Sequence, residues 1–135
     1  MIYDVIELNL SSKGLTELPD LSIYPNLRKL YCYQNNLTKI DNLPNGLEFL
    51  ECANNLITNL DNLPSSLKEL YCCNNQLTKL DNLPNGLRIL KCPLNRIIEL
   101  DCLPCNLEIL DCSYPLTGFE FLKKSKTVIR IAVKN

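Results

Sequence analysis

A 20-residue unit, copied four times in register, constrains this chain more than any other feature. Shifted against itself by 20 residues, the sequence aligns Leu27, Leu47, Leu67, Leu87 and Leu107, and likewise Leu30, Leu50, Leu70, Leu90 and Leu110. Read from Leu47, the unit is Leu-x-x-Leu-x-Cys-x-x-Asn-x-(Leu/Ile)-x-x-(Leu/Ile)-x-x-Leu-Pro-x-x, and the copies beginning at 27, 47, 67 and 87 all obey it. A fixed period of this length predicts a solenoid: each unit is one turn, and stacked turns bury a shared core that no single turn could form. The 28 leucines among 135 residues thereby acquire places in rows.

The whole chain, 1–135, reads as a single domain: a degenerate unit over 5–26, four regular repeats over 27–106, a degenerate repeat over 107–127, and a terminal strand or cap over 128–135. In the first unit Val5, Leu8, Leu10, Leu15, Leu18 and Leu21 keep the apolar spacing, while Lys13 stands in the asparagine place. In the 107–127 unit Pro115 takes that place and Phe119, Phe121 and Leu122 form the return segment. Val128, Ile131 and Val133 restate the strand portion, which predicts Arg130 level with Ile109 and Ala132 level with Asp111. End units are expected to depart from the pattern, because each has a neighbour on one side only.

The Leu-x-x-Leu-x-Cys-x-x-Asn-x-Leu core resembles the leucine-rich repeat family, and the short unit with its Leu-Pro step is similar to the class found in bacterial effectors. The wording Asp-Asn-Leu-Pro-Asn-Gly-Leu also resembles leucine-rich repeat proteins encoded by giant DNA viruses of amoebae. The resemblance implies a right-handed, β-rich leucine-rich repeat solenoid. Short parallel strands would line its concave face, with extended or 3₁₀ segments on the convex face. It also implies a module that binds proteins on the concave face.

The strand of each repeat is expected around Leu30-Tyr31-Cys32 and its equivalents, with Leu30 and Cys32 inward and the residues between them outward. The proline-containing return path disfavours a full helix. Asn35, Asn55, Asn75 and Asn95 stand where the chain leaves the strand; an amide that donates and accepts at once can bond the backbone of adjacent turns there. Asn26, Gly46, Ser66, Gly86 and Asn106 precede the strands, at a turn that glycine and asparagine would suit if it were left-handed or tight.

Composition removes much conventional chemistry. The chain has no histidine, so Ser-His-Asp and Cys-His catalysis, His-Cys zinc sites and imidazole switches are excluded. With 14 basic and 15 acidic residues, no strong field favours nucleic acid or an anionic membrane. No apolar run approaches a membrane span, and the first ten residues lack a signal-peptide pattern. The expectation is a cytoplasmic chain with reduced thiols, in the host cytoplasm if its source is viral or an effector. No cofactor or metal and no nucleic-acid or membrane partner is expected.

Five of the eight cysteines, Cys32, Cys52, Cys72, Cys92 and Cys112, share one repeat position and read as small core hydrophobes. Cys102-Leu-Pro-Cys105 looks like the Cys-x-Pro-Cys of thioredoxin-type enzymes, yet Leu103-Pro104 is the ordinary Leu-Pro step of the repeat. Free surface thiols, a chance disulfide and dithiol exchange all remain open for that pair. Cys73 falls on an outward position and is expected to alkylate fastest.

The outward positions fall into columns. Tyr31, Tyr33, Phe49, Tyr71, Ile89 and Ile109 come together, interspersed with Glu51, Cys73, Lys91 and Asp111. Exposed aromatic residues suit a protein interface, although such side chains also simply cover neighbouring strands. The leading expectation is therefore a non-catalytic module that binds a protein partner through these ten residues. A structural or virion-associated scaffold is the alternative. An accessory of a ubiquitin-ligase-type effector stands behind both, since the resemblance to effector repeats implies such an enzyme nearby, whereas the residues after the repeats are expected to supply another strand and not a catalytic domain. The basic stretch Phe121-Leu122-Lys123-Lys124-Ser125-Lys126 reads as a solvated end cap. Ile2, Tyr3 and Val5 leave the other end less protected, which allows a monomer or a weak end-to-end dimer.

Overall fold

The computed structural model describes residues 4–98, 100, 102–113 and 128–132, with Ser113 and 128–132 described by backbone alone. Ile2, Tyr3, Pro115, Phe119, the 121–126 stretch and Val133 lie outside these residues. Seven strands, β1 Glu7–Asn9, β2 Lys29–Tyr31, β3 Phe49–Glu51, β4 Glu69–Tyr71, β5 Ile89–Lys91, β6 Ile109–Ser113 and β7 Val128–Ala132, form one sheet in chain order. Every adjacent pair is parallel, as a coil that returns to the same side each turn requires. The regular strands begin and end one residue earlier than the sequence centre at Tyr31 suggests. Cys32, Cys52, Cys72 and Cys92 nevertheless continue the ladder, donating their N–H groups to the carbonyls of Glu51, Tyr71, Lys91 and Asp111 at 2.8–2.9 Å.

The core is made of rows, each supplied by one repeat position. Leu30, Leu50, Leu70, Leu90 and Leu110 are wholly buried, and the cysteine row beside them is buried too. Opposite them lie Leu37, Ile57, Leu77 and Ile97, then Ile40, Leu60, Leu80 and Leu100. Between these rows the convex side is extended chain and tight turns, with no α-helix among the described residues. Without a helical layer, backbone groups on that side are satisfied from turn to turn. The N–H groups of Leu56, Gln76 and Arg96 reach the carbonyls of Leu37, Ile57 and Leu77 at 2.8–2.9 Å.

The asparagines complete this accounting as expected. Asn55 lies between two repeats: its Oδ1 accepts from the Leu37 N–H at 3.0 Å, and its Nδ2 donates to the carbonyls of Cys32 at 3.0 Å and Cys52 at 3.1 Å. Asn75 repeats the pattern one turn on, with Ile57, Cys52 and Cys72. So does Asn95, with Leu77, Cys72 and Cys92. Asn35 caps the degenerate first unit, accepting from both Lys13 and Leu15 and donating to Leu10. Lys13 thus needs no amide of its own, because its backbone is served by the next repeat.

One local expectation is narrowed, from a left-handed or tight turn to a tight one, and another is corrected. The left-handed residues are Ser12, Gln34, Asn54, Asn74 and Leu94, just after the strands, Gly14 in the first unit, and Asn42, Asn82 and Cys102, just before the Leu-Pro step. Gly46 and Gly86 are not among them. The segment before each strand is a tight turn closed by Leu47, Leu67, Leu87 and Leu107 donating to the carbonyls of Pro44, Pro64, Pro84 and Pro104 at 3.0–3.1 Å. Its third residue serves lateral contacts instead. At Gly46 the Arg28 guanidinium binds the glycine carbonyl at 2.9 Å, while Ser66 Oγ donates to the carbonyls of Asn45 and Leu47.

The correction concerns β7. Val128 pairs with Ile109, so Arg130 lies level with Asp111 and Ala132 with Ser113, two residues from the expected register. A two-residue shift preserves the period-2 alternation of a strand, so apolar spacing alone could not separate the two registers. The observed one sets Ile129 level with Leu110 and Ile131 level with Cys112.

Candidate functional site

The concave face is the outward side of the sheet, and strand alternation delivers it directly. Successive strands present Glu7, Lys29, Phe49, Glu69, Ile89 and Ile109 in one column and Asn9, Tyr31, Glu51, Tyr71, Lys91 and Asp111 in the next. Tyr33, Ala53, Cys73 and Pro93 follow beyond the strand ends. Tyr31, Tyr33, Phe49, Glu51, Tyr71, Cys73, Ile89, Lys91, Ile109 and Asp111 are all half-buried, neither sealed in the core nor free in solvent. The register thus brings together the ten residues that the sequence marks.

An aromatic stack runs across three strands at the centre. The Phe49 ring lies 5.0 Å from that of Tyr31 and 5.2 Å from that of Tyr71, both tilted, within the range in which aromatic pairs attract. The stack continues into charge, with Lys91 Nζ 5.2 Å from the Tyr71 ring centre, a cation–π distance. The Tyr71 hydroxyl donates to Glu69 Oε2 at 3.0 Å. Burial, the hydrogen bond to Glu69 and the nearby carboxylates push the Tyr71 phenol up to about 12. Glu69 was visible in its column but not singled out by the sequence, because its role depends on the direction in which the tyrosine leans.

Ion pairs on the flank of the sheet hold neighbouring turns together. Lys68 meets Glu48 at 2.7 Å and Arg88 meets Glu108 at 2.7 Å, all well exposed. The lysine and arginine hold the partner carboxyls below their usual range. Such exposed pairs contribute little stability. At the edge of the concave face Lys29 approaches Glu7 at 3.7 Å.

The thiols divide by burial. Cys32, Cys52, Cys72, Cys92 and Cys112 are unpaired and buried. Burial pushes Cys32 up to about 12 and Cys112 up to about 11, and raises Cys52, Cys72 and Cys92 as well. None of the five is a candidate nucleophile, because a thiol held protonated is inert. Cys73 is only half-exposed, donates toward the Lys91 carbonyl at 3.6 Å, and is raised by burial and by Asp111. Cys102 and Cys105 are exposed and unpaired, so they replace Cys73 as the accessible thiols. Among the described residues no group of three His, Cys, Asp or Glu side chains is placed to hold a metal ion, and no helix is long and apolar enough to cross a membrane.

Comparison with known proteins agrees with this geometry. A family model described as leucine-rich repeats (2 copies) matches residues 25–65. The solved structure of YopM from Yersinia enterocolitica WA-314 is similar at 32% identity with a TM-score of 0.75, covering 90% of this chain and 26% of that one. A Shigella effector leucine-rich repeat domain shares the fold at 22% identity and a TM-score of 0.75, over 98% of this chain and 83% of that one. YopM from Yersinia pestis, a leucine-rich effector protein, shares it at 24% identity and a TM-score of 0.58, over 95% and 50% of the respective chains. This chain spans about a quarter of the Yersinia enterocolitica protein. No curated protein sequence matches it.

Proposed function

Because this chain is a leucine-rich repeat solenoid, similar in structure to effector repeats, we propose that it is a non-catalytic module that binds a protein partner on its concave face. Solenoids of this kind present extended concave surfaces, and their usual employment is protein–protein interaction. The observation that carries the reading is the half-exposed Tyr31–Phe49–Tyr71 stack. Three rings in contact across three strands give a large, stiff, amphipathic area at the centre of the face. Ile89 and Ile109 extend it along one column, and charged residues interrupt it. This is the make-up of an interface core with a polar rim. A partner covering the face would bury about 800 Å² per side, the size of a standard interface.

The reading places the module in a reducing cytoplasm, supported by eight unpaired cysteines. The mixed signs of charge along the two strand columns argue against a phosphate-tracking surface. The test is site-directed photo-crosslinking in host lysate. A photoreactive phenylalanine at Tyr71 should trap a discrete partner, the same residue at the exposed return-side Thr78 should not, and in affinity capture from the same lysate Y31A/F49A/Y71A should lose that partner with an unchanged far-UV spectrum. Equal trapping at both positions, or capture that survives the triple replacement, would refute concave-face binding.

A further inference from the structure

We infer that Glu51 seats a cationic side chain, arginine or lysine, carried by a basic segment of the partner. This rests on the concave-face reading above and adds to it the chemistry of what binds. Glu51 is flanked by Tyr31 on β2 and Tyr71 on β4 in direct register. Both tyrosine rings lean toward Phe49, in the neighbouring column, and the Tyr71 hydroxyl is drawn the same way by Glu69. On the opposite side of Glu51 the next outward residue of its strand is Ala53, small and buried. The carboxylate thus stands in register between two tyrosines whose rings turn toward Phe49, with small Ala53 the next outward residue beyond it.

Among the described residues nothing in the chain neutralises this carboxylate. It takes part in no hydrogen bond and no ion pair, while the two lysines of the face are engaged elsewhere. Lys29 is with Glu7 and Lys91 lies over Tyr71. The influence of Glu51 is felt at Tyr71 and at three neighbouring thiols, each of which it makes harder to ionise. Lys91 also shows that the tyrosine face accepts an ammonium group. A carboxylate with a tyrosine on each neighbouring strand offers a cation charge pairing and, beside it, ring attraction. An acidic segment is disfavoured, since it would meet Glu51 and Glu69 on the adjacent strands β3 and β4 and Asp111 on β6.

The probe is fluorescein-labelled hexa-arginine, with hexaglutamate as the sign control, measured by polarisation against the folded chain. Hexa-arginine should bind and hexaglutamate should not. E51Q, which keeps the shape and removes the charge, should weaken binding by about fivefold, whereas E17Q, on the return side, should leave it unchanged. No binding by the native chain, or equal effects of E51Q and E17Q, overturns the proposal. A partner that is lost in Y31A/F49A/Y71A yet bound normally by E51Q leaves the concave-face reading standing and removes only the cation seat. Hexa-arginine binding that depends on Glu51, with no protein trapped from position 71, supports the seat and removes the protein-binding reading.

Discussion

Replacing Asn55 by alanine removes a side chain that is 6% exposed and joins two turns. The consequence follows from which groups keep a second partner. The Cys32 carbonyl still receives Asn35 Nδ2 at 3.0 Å, and the Cys52 carbonyl still receives Asn75 Nδ2 at 3.0 Å. The Leu37 N–H has only Asn55 Oδ1, at 3.0 Å, so it becomes the orphan. An unsatisfied buried donor costs about 1–3 kcal/mol, and each of the two lost bonds to carbonyls that keep a partner contributes about 0.5–1.5 kcal/mol, for a total of about 4 kcal/mol. Measured by urea unfolding, that is a large share of the ~5–15 kcal/mol typical of a domain. Asn55→Asp should be worse than Asn55→Ala at neutral pH, because an ionised carboxylate turns both donated bonds into contacts between oxygens. Asn35→Ala should also cost more than Asn95→Ala, since Asn35 serves two N–H groups, of Lys13 and Leu15, and Asn95 one. A loss below about 1 kcal/mol for Asn55→Ala, or Asn55→Asp as stable as the parent, would refute the bridging account.

Three further outcomes are expected. Leu94 holds φ +58° where Asn54 and Asn74 hold +55° and +50°; a leucine is strained in that region, so Leu94→Asn should raise the unfolding free energy by about 1 kcal/mol. In the folded chain a thiol-reactive dye should modify Cys102 and Cys105 rapidly, Cys73 slowly, and the five ladder cysteines only after denaturation; fast labelling of Cys72 would mean that the strand register is wrong. In ultraviolet titration of the phenols, Tyr71 should lose its proton near about 12, and Glu69→Gln should move it down toward the usual tyrosine value. The sign is that of a raised group: the folded state holds the Tyr71 proton more tightly, so the stabilisation is present below about pH 10 and is lost as pH rises toward about 12.

Much of this was legible because repetition turns one-dimensional spacing into three-dimensional neighbourhood. Leu30 lies level with Leu50, and Tyr31 with Glu51, because the units are equal in length and the strands parallel. The columns of the concave face therefore follow from counting. Counting could not give the direction in which side chains lean. The Phe49 ring between two tyrosines is a rotamer choice made by contact, and Glu69 gained its place through it. The left-handed positions were missed for another reason: glycine signals both positive φ and simple lack of bulk. At Gly46 the second meaning applies, since a Cβ there would lie 2.6 Å from the Arg28 guanidinium. The β7 register eluded the sequence because a shift of two leaves inward and outward residues unchanged.

The asparagine bridges span one interval each, from a turn to the turn before it, and the ladder bonds do the same. Excising a whole unit therefore deletes nothing on which the survivors depend, provided the new neighbours agree. Cutting 67–86 would join Ser66 to Leu87 and bring Glu48 beside Arg88 and Glu51 beside Lys91, opposite charges both. Cutting 47–66 would instead bring Arg28 beside Lys68. Recombination between units thus acts on this chain as editing acts on a printed line: whole words can be dropped while the grammar holds, and each cut respells the surface that a partner reads.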